Sequence, residues 1–202
     1  MMGIALALSL ICSASVDTLY KVEFNSILND WIPGPQWAWQ EDCMNVHLFC
    51  HSGGYFTVAD RDRLLSPVIT LPSDIDSVVV VFDHWYYTHG WINGMSWAET
   101  NMSLEMTVPG VSQSVDLWSL DYLIEYPVDY LESDSGLVSI TLNQVWPGEP
   151  VIFEFYGEVS AYSSYTSATS ELSWDIRAFY ILNYTEDRGL EPSTWGAIKS
   201  LF

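Results

Sequence analysis

Three groups of residues in this chain are of types that can do chemistry. The first is FDHWYYTHGW at 82–91, which packs five aromatic rings, two histidines and an aspartate into ten residues. Imidazoles and carboxylates ligate metals, and flat rings stack on the apolar faces of sugars. The second is CMNVHLFC with the histidine after it. Cys43, His47, Cys50 and His51 supply four zinc-ligand side chains within nine residues. The third is a set of glutamates flanked by aromatics: Glu105 in SLEMTV, and Glu154 and Glu158 in IFEFYGEV. Carboxylates paired across a cleft hydrolyse glycosidic bonds.

Strand alternation sorts the first group. In VVVVFDHWYYTH, successive side chains point to opposite faces. Val78, Val80, Phe82, His84 and Tyr86 share one face; Val79, Val81, Asp83, Trp85 and Tyr87 share the other. Neither face is cleanly polar, which predicts a central strand covered on both sides for much of its length. Phe82 and the valines are then core, and His84 is a hydrogen-bonded core or boundary histidine. His84 and His89 are five residues apart and fall on opposite faces of a continuous strand, which argues against a two-histidine metal site. Beyond the strand, YYTHGWINGMSW at 86–97 reads as a loop. Its Tyr86, Tyr87, Trp91 and Trp97 form the candidate ligand platform, with Asn93 and Glu99 close enough to hold sugar hydroxyls. The competing reading is that these rings cap the end of the fold or meet a partner domain.

Composition narrows the partners. The chain has 202 residues, enough for one domain with its own core. Hydrophobic residues make up 49%, which argues against disorder. The formal net charge is −20, with only six Lys and Arg. Nucleic acid and anionic membranes call for neutralising cations, and this chain lacks them. Divalent cations, neutral partners or a salty exterior suit it, and acidity alone keeps a secreted protein soluble.

The first fifteen residues, MMGIALALSLICSAS, combine a short apolar run with small residues at Ser13 and Ser15. That is the pattern of a secretory signal, though without the usual N-terminal Lys or Arg. Bulky Leu10 and Ile11 weaken a lipoprotein reading through Cys12. Cleavage after Ser15 predicts a mature chain that starts at Val16 and a protein that is secreted or held at the cell surface. Cys43 and Cys50 then remain, and an oxidising compartment predicts one disulfide between them. The zinc set is the alternative, although structural zinc sites usually draw ligand pairs from separate elements.

Strands are predicted near 19–24, 37–40, 46–50, 55–59, 65–71, 77–87, 101–108, 114–118, 138–145, 151–156 and 173–182. Turn signals such as PGP at 33–35, SGG at 52–54, NG at 93–94 and PGEP at 147–150 separate them. Residues 117–131 read as a helical turn or irregular loop. The Ser/Thr-rich SAYSSYTSATSELS at 160–173 reads as a long surface loop. Many strands joined by turns predict an all-β chain, a two-layer antiparallel β-sandwich of jelly-roll type.

The order of these signals resembles a known family. Phe24-Asn25 opens the first strand, and a Pro-Gly region bearing tryptophans follows at 33–39. Then come RLLSPVITLP at 63–72, DSVVVVFDHWYY at 76–87 and SWDIRAFYI at 173–181. Across roughly 19–184 this is similar to the secreted bacterial choice-of-anchor and cleaved-adhesin domains, which are MAM-like jelly rolls. The resemblance implies a structural calcium at the positions of Asn25 and Asp175, with Asn25 standing where the family usually has an acid. It also implies that EPSTWGAIKSLF at 191–202 is a C-terminal sorting or anchoring tail, with a segment docked on the sandwich the alternative; TEDRGLEPS at 185–193 itself reads as a linker.

Taken together, the sequence predicts a non-catalytic adhesion module that binds glycan or an extracellular protein. A structural subunit of a surface layer or appendage is the second reading, and a jelly-roll glycosidase using Glu105 with Glu154 or Glu158 the third. No G-x-S-x-G elbow or H-E-x-x-H motif is present.

Overall fold

β-Branched and aromatic residues at alternate positions build twelve strands, seen in a computed structural model that describes residues 16–25, 30–75, 77–125, 128–143 and 146–184. In chain order they are β1 (Val16–Glu23), β2 (Ile32–Pro33), β3 (Trp37–Gln40), β4 (Cys43–Ser52), β5 (Thr57–Leu65), β6 (Ile69–Thr70), β7 (Val78–Ile92), β8 (Ser96–Val108), β9 (Gln113–Ile124), β10 (Val128–Leu142), β11 (Pro150–Ser163) and β12 (Ala168–Tyr184). The first sheet runs β10-β7-β12-β4-β3, and β1 pairs with the far half of β12. The second runs β2-β5-β11-β8-β9, with β6 on β11. Every pairing is antiparallel, so the all-β two-layer sandwich expected from the sequence is the fold observed.

The inner faces meet in an aromatic core. Phe82 of β7 lies 5.2 Å from Phe155 of β11, Phe155 lies 5.6 Å from Trp174 of β12, and Phe153 lies 5.0 Å from Phe179. All five are fully buried. Ring pairs of this kind add about 0.5–1.5 kcal/mol each beyond the burial of their area. Asp62, also buried, accepts the backbone N–H groups of Gln36, Trp37 and Arg63 and so ties the entry of β3 to β5. Gly34 lies against it: a Cβ there would come within 1.8 Å of the Asp62 carboxylate.

Several elements differ from the sequence prediction. Residues 117–124 and 128–131 are strand, not helical turn or loop. The predicted surface loop at 160–173 is the end of β11, a four-residue corner and the start of β12. Three of its serines, Ser160, Ser163 and Ser170, are buried. Ser170 and Thr88 both bond Thr100, at 3.0 and 2.9 Å, and Ser170 also donates to the Glu99 carbonyl. Hydroxyls that satisfy one another can line a core, so their polarity misled the loop prediction.

The Cys43–Cys50 disulfide is not formed; both residues are free, buried thiols. They lie on one unbroken strand, β4, seven residues apart, which places them about 23 Å apart and on opposite faces. A disulfide needs Cα atoms within about 7 Å. Burial pushes the Cys43 thiol up to about 12 and the Cys50 thiol up to about 11. The same parity breaks the zinc alternative, because Cys50 points into the core while His47 and His51 face out. Residues 1–15, read as a signal, and 185–202, read as linker and tail, lie outside the described residues.

Candidate functional site

β7 is longer than predicted. It continues through Thr88, His89 and Gly90 to Ile92, so most of the presumed loop is strand. Gly90 allows this, since a Cβ there would meet Ile124 Cδ1 at 2.3 Å. Extending the strand extends the alternation. Phe82, His84, Tyr86 and Thr88 face the core, while Asp83, Trp85, Tyr87, His89 and Trp91 face outward. Trp85, Tyr87 and Trp91 thus form one file on the outer face of the first sheet. From Trp85 to Trp91 the file spans about 20 Å at ordinary strand rise.

Register supplies the neighbours. On β12, Thr169 lies opposite Trp91, Glu171 opposite His89, Ser173 opposite Tyr87 and Asp175 opposite Trp85. Beyond them β4 sets His51, Phe49, His47 and Asn45 on the same rows. A polar chain crosses the rings. His89 Nε2 is 2.5 Å from Asp129 of β10, His89 Nδ1 is 4.0 Å from Glu171, and His47 is 3.6 Å from Glu171. Asn45 donates to Asp175 at 2.7 Å and to the Ser173 hydroxyl at 3.2 Å. The face therefore offers flat apolar rings beside fixed acceptors and hydroxyls, the combination that binds a polyhydroxylated chain.

The polar tips of the rings separate two kinds of aromatic. The indole N–H of Trp31 donates to Tyr20, that of Trp39 to the Phe24 carbonyl, and that of Trp174 to His84. The Tyr86 hydroxyl pairs with Tyr122 at 2.6 Å. Trp85, Tyr87 and Trp91 make no such bond among the described residues, and Trp91 is 36% exposed. Their donors remain available to a ligand.

The sequence-predicted site residues are divided by this geometry. Tyr87 and Trp91 are in the outer file. Tyr86 is 3% exposed and belongs to the core; burial and its bond to Tyr122 push its hydroxyl well above the usual phenol range. Asn93 sits in the three-residue corner between β7 and β8, where its backbone bonds Ser167 and accepts from Ser96 and Thr166. Gly94 takes φ +72 there, a left-handed conformation that glycine adopts freely. That corner crosses from the first sheet to the second, so Trp97 of β8 faces outward on the opposite side of the molecule. One platform holding both Trp91 and Trp97 does not exist. Trp85 and Phe49 share this outer face but were not singled out from the sequence, although the alternation already placed Trp85 on the face of Tyr87.

His84 behaves as predicted: its Nδ1 accepts from Trp174 Nε1 at 3.3 Å, and burial holds its pKa down to about 4. Asn25 donates to Glu23 at 3.3 Å, and Asp175 is engaged by Asn45, so each calcium position implied by the resemblance has another partner. Among the described residues no group of three or more His, Cys, Asp or Glu is arranged to hold a metal.

Glu105 and Glu154 are directly opposite on β8 and β11, on the outer face of the second sheet. Burial raises the Glu154 pKa, Arg63 lowers it and Glu105 raises it again. Glu105 accepts the Ser114 hydroxyl at 3.0 Å, and Glu158 accepts from Tyr156 at 2.6 Å. The groove beside Glu154 is lined by Arg61, Asp62, Arg63 and Tyr156, without Glu105. The two carboxylates are neighbours on one face and do not look at each other across that groove.

No family model matches the chain, and no curated protein matches it. Among solved structures it is similar to a xylan-binding domain from Paenibacillus barcinonensis, at 10% identity and TM-score 0.37, covering 86% of this chain and 99% of that one. A carbohydrate-binding module that recognises mannan gives 11% identity and TM-score 0.37, covering 85% and 100%. A tumour-necrosis-factor protein from S. frugiperda gives 14% and 0.28, covering 61% and 69%. Likeness at this level fixes neither a ligand nor the residues that would hold one.

Proposed function

We propose that the protein is a non-catalytic glycan-binding module of the cell exterior, and that it binds an extended neutral polysaccharide along Trp85, Tyr87 and Trp91. The observation that carries this reading is the file of three outward rings whose polar tips have no partner among the described residues. Sugar C–H faces stack on the rings, while hydroxyls bond Glu171, Ser173 and Asp175 alongside. The formal charge of −20 disfavours anionic polymers. The exterior setting rests on the apolar run at 1–15. The test is tryptophan fluorescence of the full chain titrated with xylan, mannan and non-crystalline cellulose. A saturable change that Trp91→Ala diminishes supports the reading; a flat response to all three overturns it.

The binding role is distinguished from catalysis by the same polymers. Glu105→Gln and Glu154→Gln leave binding intact, and the wild-type chain releases no reducing ends. Appearance of reducing ends that Glu154→Gln abolishes would restore the glycosidase reading. Calcium at Asn25 and Asp175 is a separate proposal. On it, added calcium raises the melting temperature and Asn25→Ala removes the rise; equal melting with calcium and with chelator rejects it.

A further inference from the structure

We infer that the molecule carries a second sugar platform on its opposite face, built on Trp97 and Tyr162, and that it bridges two glycan strands. This rests on the glycan-binding reading above and goes beyond it. Tyr162 of β11 and Trp97 of β8 are directly paired across the second sheet. Their rings are nearly parallel, 21° apart with centroids 6.3 Å apart, on the outer face. Neither the Trp97 indole N–H nor the Tyr162 hydroxyl has a hydrogen-bond partner among the described residues, the same feature that marks the rings of the first face.

Polar groups flank this pair as they flank the other. One row along the same face, Ser160 donates to Glu99 at 3.4 Å, and the next row pairs Asn101 with Glu158. A shallow groove of about 340 Å³ is lined by Met95, Ser96, Trp97, Glu125 and Tyr162. It contains a carboxylate and no cation, so an anionic glycan or lipid headgroup is repelled, whereas hydroxyl donors are accepted. A neutral sugar strand is the occupant that fits flat rings beside acceptors.

The two platforms cannot serve one strand. The corner at 93–95 takes the chain from the first sheet to the second, and packed sheets stand about 10 Å apart with their outer faces turned away from each other. Trp91 and Trp97, six residues apart in sequence, therefore engage separate strands. Two sites on one rigid body give cross-linking and avidity that neither gives alone.

The test is a sandwich capture with the full chain. Insoluble xylan, mannan and non-crystalline cellulose are loaded with protein, washed, and offered fluorescently labelled soluble oligomers of the same polymer. Wild type retains labelled oligomer on at least one polymer. Trp97→Ala and, independently, Tyr162→Ala still bind the solid, bind half as many oligomers per protein in solution, and retain label only at background. Far-UV circular dichroism and melting confirm that each variant is folded. If both variants match wild type in stoichiometry and retention while Trp91→Ala loses binding, the second platform is overturned and the first stands. If wild type binds none of the polymers, both readings fall. If the Trp97 face instead drives a concentration-dependent dimer that Trp97→Ala abolishes, its occupant is a second copy of the chain, and the bridging inference is overturned.

Discussion

The two faces of β7 carry the same kinds of side chain under opposite physical conditions. Inward, Phe82, His84 and Tyr86 are buried, His84 Nδ1 accepts from Trp174, and the Tyr86 hydroxyl pairs with Tyr122. Outward, the tips of Trp85, Tyr87 and Trp91 have no hydrogen-bond partner among the described residues, and Trp91 keeps about a third of its surface in water. A ring whose polar tip is already bonded has little left to offer a ligand; one whose tip is free stabilises the fold less and binds more. Tyr86 and Tyr87, adjacent in sequence, stand on the two sides of that division.

The contrast is broken or sharpened by substitution on each side. The largest effect belongs to the inner face. Phe82→Ala leaves a cavity among Phe155, Trp118 and His84, and is expected to cost about 3–5 kcal/mol in urea unfolding. Next is acid sensitivity at His84. Its folded pKa is held near 4 by burial, opposed by Asp134 and aided by Arg177. The unfolded chain takes up a proton near pH 6.5 that the folded chain refuses. The stabilisation is therefore complete above that pH and is lost as the pH falls toward 4, by at most about 3 kcal/mol. His84→Asn, compared with wild type by urea midpoints at pH 7 and 4.5, is expected to flatten that slope.

On the outer face the effects move from stability to binding. With the opposite face silenced by Trp97→Ala, adding Trp91→Ala is expected to weaken polysaccharide binding about 30-fold, roughly 2 kcal/mol, with unfolding changed by less than about 0.5 kcal/mol. Isothermal titration and urea unfolding of one preparation check both halves. The smallest and sharpest comparison is Tyr86→Phe against Tyr87→Phe. Loss of the hydroxyl paired with Tyr122 is expected to cost about 1 kcal/mol, and loss of the Tyr87 hydroxyl nearly nothing. Equal costs would dissolve the distinction between the two faces.

Much of this was legible in the chain. VVVVFDHWYY reads as a strand, so the separation of His84 from His89 follows from parity, and Phe82 as core from the apolar run it ends. Carrying the same parity four residues further would have placed Trp91 beside Tyr87 and Trp85. Thr88 and Gly90 hid the continuation, because one is polar and the other has no side chain to read. The Cys43–Cys50 pairing failed for a related reason. The predicted strand begins only at Val46, which leaves CMN free to turn back; β4 begins at Cys43 and holds the two cysteines apart. That β4 is extended depends on β12 and β3 lying on either side of it.

Sequence alone determined that this chain forms strands, which side chains share a face, and that its charge turns away polyanions. These are local or additive properties: side-chain direction repeats every two residues, and charge sums without regard to order. Only the tertiary structure decided which face of each strand is inside, because that depends on partners far along the chain. It also decided that the corner at 93–95 joins different sheets. An Asn-Gly turn is compatible with a hairpin inside one sheet or a passage between two, and the choice is made by which strands β7 and β8 find to pair with. That choice put Trp91 on one side of the molecule and Trp97 on the other.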